Sequence, residues 1–216
     1  NRWNVFTELN LVPDGYERNM ELARENGCRL FLSSTFLYRE EIRYIRSRVG
    51  KDRRWNYIYH IGQYLPDWHP WENYTEFFIG DRRTNGCREI MAIELPDNYI
   101  IQTEHENGNK GALIIDVVSP VAVRKLEIYG EHRYIQWSGT PDSLCEYNAE
   151  RDMLEQVVLQ EAEEHRDGYR AFVVENAYKN EIREFMEAVL NDRQAEYGFV
   201  QDLEILKLID AMEEEV

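Results

Sequence analysis

The stretch GALIIDVVSPVAVRKLEIYGEHRYIQWSG, residues 111–139, decides the fold. Three runs rich in β-branched and aromatic residues, GALIIDVVS, AVRKLEIYG and RYIQWSG, follow one another with little between them but turn signals such as YGEH. The gaps hold no helix, so the runs are expected to pair antiparallel as a meander. Working outward, NYIIQTEH (98–105) joins them through ENGNKG, and RRWNYIYHIGQ (53–63) reads as one more strand upstream. Leu154 to Gln160 is a further strand. On the 53–63 run, Trp55, Tyr57 and Tyr59 alternate, which puts three aromatics on one sheet face, as core or a subunit interface, the alternative being a surface that stacks on a sugar ring.

The ends of the chain have a different period. Asn4 to Leu11 is a short strand, and Pro13 with Asp14 suits the first turn of a helix that Gly27 stops. CRLFLSSTF (28–36) is an apolar run fit for a buried parallel strand, which completes a βαβ unit. A short helix is expected over Arg39 to Arg48. Near the C-terminus, Ile182, Phe185, Met186 and Val189 fall at helical spacing and are expected to face a core. A last helix runs from Asp202 to Met212. The whole reads as α+β: an open, mostly antiparallel sheet with helices on one face, preceded by a residual parallel βαβ unit.

Composition narrows the function classes. Hydrophobic residues make up 43% of the 216, enough for a core. There are 41 acidic against 25 basic side chains, a net charge of −16, which repels nucleic acid and anionic membranes. Cys28, Cys87 and Cys145 show neither disulfide-framework nor metal spacing, which points to a reducing cytoplasm and no metal. No run reaches the roughly 18 apolar residues of a membrane helix. The chain opens on NRWNVFTELNLV, a strand already under way, so Asn1 is expected not to be the natural start.

YHIGQYLPDWHPWENY (59–74), TNGCREIMAIELP (84–96), EHENGNKGALIIDVVSPVAVRKLEIYGEHRYIQWSGTPD (104–142), ENAYKNEIREFMEAVLN (175–191) and YGFVQDLEILKLIDAMEE (197–214), in that order, resemble the C-terminal half of Gfo/Idh/MocA-type oxidoreductases. The nearest branch is the one found in surface-sugar and nucleotide-sugar metabolism. The resemblance implies that residues 1–38 end a Rossmann-like dinucleotide-binding domain and 39–216 form a substrate and oligomerisation domain. It also implies NAD or NADP as cofactor, a sugar or nucleotide-sugar substrate, and a homo-oligomer built through the open sheet. Three departures stand out. No GxGxxG occurs, so the phosphate-cradling turn is absent. Glu8 matches the family's Glu-Lys-Pro strand end, but Leu9 stands at the lysine and Asn10 at the proline. AIELP and NYII nearly abut, where the family has a longer excursion. An incomplete chain, missing its cofactor half, is the expectation.

Candidate site residues follow from the residues and the resemblance together. Two prolines make PDWHPWE (66–72) a rigid loop. In it, Asp67 beside His69 suits acid/base work, while Trp68, Gln63 and Tyr64 suit a sugar; the alternative is a packed, capped turn. Arg88 is placed to grip an anion, with Glu89 and Glu94 as carboxylates on the same segment and Glu94 able to handle a proton; the alternative is a solvated helix face. Thr35, Tyr38 and Arg39 follow the second parallel strand, and Glu8 and Asn10 the first, where doubly wound sheets place their ligand crevice. Glu8, Asn10 and Thr35 are assigned to the cofactor, Tyr38 and Arg39 to the substrate. The functional reading is an NAD(P)-dependent oxidoreductase of a sugar hydroxyl or keto group. Its alternatives are a non-catalytic sugar-binding or assembly module, which Leu9 favours, and a carboxylate-based lyase or hydrolase.

Overall fold

A computed structural model describes residues 3–10, 12–50, 54–64, 67, 70, 71, 73, 98–159 and 175–214. They form two compact units, one of residues up to Arg39 together with those from Val173 onward, the other centred on Glu40–Ala162.

The first unit is built on a parallel strand pair, β1 (Val5–Thr7) and β2 (Leu30–Leu32), linked by α1 (Tyr16–Asn26). This is the expected βαβ unit, with β1 shorter than its apolar run. Gly27 adopts φ 61°, the left-handed geometry that ends a helix, and Cys28 N donates to Ala23 O. The two C-terminal helices, α3 (Glu175–Leu190) and α4 (Phe199–Glu214), belong here. Because successive strand residues point to opposite faces, Leu32 packs with Tyr16 of α1 and Phe199, Leu203 and Leu206 of α4. Phe31 points the other way, into Tyr38, Ala177, Phe6 and Phe185.

Helix α3 corrects one expectation. Ile182 and Met186 are 49% and 50% exposed, while Ala177, Glu181 and Ala188 are buried. The helix is rotated because Glu181, only 2% exposed, turns inward to meet polar groups after β2.

In the second unit, α2 (Glu40–Arg48) accompanies a seven-stranded sheet of order β4-β5-β3-β6-β7-β8-β9. The strands are β3 (Trp55–Gly62), β4 (Asn98–Glu104), β5 (Lys110–Asp116), β6 (Val123–Gly130), β7 (Arg133–Trp137), β8 (Cys145–Asn148) and β9 (Met153–Gln156). All pairings are antiparallel except β3 with β5. The sheet is not the simple meander expected. β3 inserts between β5 and β6, and β8 is a strand that the sequence reading did not assign.

The alternating aromatics are inward. Trp55 is 2% exposed and shares its face with Ile128, Ile135 and Trp137, all buried. The outer face carries Asn56, Ile58 and His60, with Ile100 and Tyr129 exposed beside them. Glu146 extends from β8 to α2, accepting hydrogen bonds from the Tyr44 hydroxyl and from Arg48 Nη2 at 2.8 Å. No described helix is long and apolar enough to cross a membrane.

Candidate functional site

At one end of the larger sheet several described strands begin or end together. β3 and β5 run parallel and finish side by side, Gly62 opposite Asp116. β6 starts there, Val123 opposite Gly62, and β4 starts there, Asn98 opposite Asp116. The chain therefore leaves β3 at this end into Gln63–Asn73, returns to it at Asn98, and crosses the end of β3 through residues 117–122.

Asp116 organises this end. It is 7% exposed. Its backbone oxygen accepts Gln63 N at 3.1 Å, rooting the loop that leaves β3. Its Oδ1 accepts Ser119 N at 2.8 Å and Val118 N at 3.2 Å, an Asx-type turn opening the crossing. Its Oδ2 lies 2.8 Å from His60 Nε2. His60 and Gly62 are two apart on β3 and share a face, and the carboxylate crosses above Gly62 to reach the imidazole. A Cβ at Gly62 would sit 2.9 Å from Asp116 Cγ and closer still to Oδ2. A carboxylate only accepts, so Nε2 is the donor in this contact.

The sequence reading missed this pair. The two residues are 56 positions apart, and neither belongs to a motif. The usable signal was a histidine two residues before a strand-ending glycine, which leaves room on one face for a neighbour's side chain.

Around the pair, Gln63 is half-buried and Tyr64 exposed; Asp67 is exposed, with its N–H donating to Tyr64 O at 3.0 Å in a tight turn. Trp68, His69, Arg88, Glu89 and Glu94 lie outside the described residues.

The first unit has its own polar cluster past β2. Glu181 accepts Thr35 Oγ1 at 2.9 Å, Ser33 Oγ at 3.2 Å and the Ser34 N–H. Three donors thus converge on one buried carboxylate, and Thr35 Oγ1 is one of them. Tyr38 and Arg39 are buried beside this cluster in sequence, Tyr38 in the Phe31 core. Glu8 is exposed, and the Asn10 amide donates to the Tyr16 hydroxyl at 3.3 Å.

The turn from β1 to α1 does not suit a dinucleotide pyrophosphate. A single glycine, Gly15, caps the helix, with Asp14 before it and Glu17 in its first turn. Carboxylates occupy the positive helix end that phosphates need. Among the described residues no group of three His, Cys, Asp or Glu side chains could hold a metal ion.

Comparison with solved structures identifies the fold class. UDP-N-acetylglucosamine 3-dehydrogenase GnnA from Acidithiobacillus ferrooxidans matches with a TM-score of 0.70 at 14% identity, over 99% of this chain and 70% of its own. Levoglucosan dehydrogenase in complex with NADH and levoglucosan matches with 0.72 at 11% identity, over 98% and 71%. A putative NADPH-dependent oxidoreductase from Desulfitobacterium hafniense matches with 0.71 at 12% identity, over 99% and 70%. Sequence searches find no matching family model and no significant match to a curated protein. The fold is that of Gfo/Idh/MocA-type oxidoreductases, as the sequence motifs implied, and the chain spans about 70% of these proteins' length.

Proposed function

We propose that this chain is the substrate-handling part of an oxidoreductase that acts on a hydroxyl or keto group of a sugar or nucleotide sugar, with NAD or NADP as redox partner. The observation that carries the reading is the fold match over nearly the whole chain to a UDP-sugar dehydrogenase and a levoglucosan dehydrogenase. The loop-bearing sheet end supports it. Gln63, Tyr64 and Asp67 follow β3 there, and the reading retains Trp68, His69, Arg88, Glu89 and Glu94 from the sequence. On the cofactor side the reading retains Glu8, Asn10 and Thr35, and on the substrate side Tyr38 and Arg39.

In this reading residues 1–38 close a dinucleotide-binding domain and 39–216 carry the substrate domain, α3 and α4 packing back on the first. Self-association uses the outer sheet face, where Ile58, Ile100 and Tyr129 are exposed. A cytoplasmic setting accords with the free Cys28 and Cys145.

The test is a fluorescence titration of the full-length natural protein with NADH and NADPH, followed by turnover on a panel of sugars and UDP-sugars. Binding of one nucleotide and turnover of at least one sugar is the expected result. A full-length protein that binds neither nucleotide refutes the reading and favours the sugar-binding or assembly module.

A further inference from the structure

We propose that two buried carboxylates of the C-terminal helices, Asp202 of α4 and Glu181 of α3, are positioning residues for the ends of β1 and β2. By taking up hydroxyl hydrogens they turn acceptors toward the ligand. The group bound at these strand ends therefore carries O–H or N–H donors, as a sugar hydroxyl or a carboxamide does, and is not a phosphate. The assignment rests on the oxidoreductase reading above.

β1 and β2 are parallel neighbours, and Ser33 N donates to Thr7 O at 2.7 Å, so the two strands end side by side. At the end of β1 the chain of contacts starts from Asp202, which is 5% exposed. Its Oδ2 accepts the Tyr16 hydroxyl at 2.5 Å and its Oδ1 the Tyr197 hydroxyl at 2.6 Å. With its hydrogen given to Asp202, the Tyr16 oxygen can only accept. The Asn10 amide therefore presents Nδ2 to it, at 3.3 Å. A flipped amide would set lone pair against lone pair. Asn10 Oδ1 is left without a hydrogen-bond partner among the described residues, on an exposed side chain.

The end of β2 is arranged in the same sense. Glu181 Oε1 accepts the Ser34 N–H and Ser33 Oγ, and Oε2 accepts the Thr35 hydroxyl at 2.9 Å. Thr35 is half-buried, and its oxygen keeps only lone pairs for a ligand. Glu8, exposed on the β1 side, is an acceptor as well. A phosphate would meet like charge and lone pairs here, whereas a hydroxyl or an amide N–H would meet three acceptors. Packing alone does not call for the two carboxylates. They approach from opposite faces of the strand pair, α4 on the Leu32 side and α3 on the Phe31 side. An apolar residue would fill either space without the desolvation that a buried carboxylate costs. What the carboxylates add is direction.

The test uses the full-length protein and three readouts: Kd for NADH and NADPH by fluorescence, KM for the sugar turned over, and Tm. Asn10→Ala, Thr35→Val and Tyr16→Phe are each expected to raise the nucleotide Kd or the sugar KM about two- to tenfold, the worth of one hydrogen bond. Tyr16→Phe should have no further effect on top of Asn10→Ala, because it acts through the amide. In Glu181→Gln the Ser34 N–H requires the amide oxygen, which puts Nε2 against Thr35 Oγ1 and reverses that hydroxyl; the loss should match that of Thr35→Val. A rise in Kd assigns the donor group to the cofactor, and a rise in KM assigns it to the sugar. Inorganic phosphate should not compete. Variants that lower Tm but leave Kd and KM unchanged overturn the assignment and leave the oxidoreductase reading intact. So does phosphate competition that Asn10→Ala abolishes. A wild type that binds neither nucleotide overturns both. Should Tyr16→Phe or Glu181→Gln fail to fold, Asn10→Ala and Thr35→Val decide, and unchanged Kd and KM in both overturn the assignment.

Discussion

Gly62→Ala tests the packing on which the sheet end depends. The new methyl would lie 2.9 Å from Asp116 Cγ and 3.1 Å from Oδ1, so the carboxylate has to move. It cannot swing into water while Oδ1 holds Ser119 N and Val118 N, and only 7% of the residue is exposed. The contact that breaks first is Oδ2 with His60. A hydrogen bond to a charged group is worth about 1.5–3 kcal/mol. Replacing glycine within a strand returns about 0.5–1 kcal/mol. The net cost is about 1–2 kcal/mol, a fall in Tm of roughly 2–8 °C for a chain of this size. The decisive assay is a double-mutant cycle by urea unfolding. With Asp116→Ala in place the methyl meets no carboxylate, and Gly62→Ala should become neutral or slightly stabilising. An equal cost in both backgrounds, or no cost in the wild type, refutes the claim that Gly62 is a vacancy occupied by Asp116.

Three other outcomes follow from buried polar groups. Glu181→Ala strands the donors Ser33 Oγ, Ser34 N and Thr35 Oγ1 and should cost about 3 kcal/mol, with Thr35→Val costing about 1, both by urea unfolding; a cost for Glu181→Ala below that of Thr35→Val contradicts the convergence. The Tyr16 hydroxyl is pushed up to about 12 by burial and by its hydrogen bond to Asp202 at 2.5 Å. Its proton is therefore kept in the folded state and lost in the unfolded one above pH 10, so this stabilisation is complete below pH 10 and disappears as pH rises to about 12. Urea midpoints should fall over that window more steeply for the wild type than for Tyr16→Phe. At the α2–β8 clamp, Glu146 accepts from both the Tyr44 hydroxyl and the Arg48 guanidinium, and burial followed by the carboxylate holds the tyrosine above its ordinary range. A Tyr44→Phe/Glu146→Gln cycle should give a coupling of about 1 kcal/mol, and a value near zero would show that α2 is held by Ile42 and Ile45 alone.

Local chemistry made much of this fold legible. β-branched runs punctuated by turn residues mark β3, β4, β6 and β7 within a residue or two and β5 within three, and the Gly27 stop and the parallel pair β1–β2 lie where the apolar pattern places them. The failures are instructive. Apolar spacing on α3 selects Ile182 and Met186 as inward, because periodicity counts only hydrophobic residues, whereas the helix face is set by a buried glutamate and two alanines. The residues Gln63, Tyr64 and Asp67 follow β3 at one sheet end, where the crossing at 117–122 also lies, a neighbour that their own sequence does not indicate. Their neighbour His60 did not stand out, since a histidine inside a strand carries no motif.

What the sequence determined by itself is therefore the set of elements and their apolar faces, since propensity, turn residues and side-chain alternation act over a few residues. What only the tertiary structure decided is which elements adjoin. The insertion of β3 between β5 and β6 is a pairing choice among strands of similar composition, and no local preference distinguishes them. That choice sets Gly62 beside Asp116 and so brings a carboxylate to His60 across 56 residues of sequence. A contact of that range is made by the sheet as a whole, which is why the polar centre of this site appears only once the strands are in order.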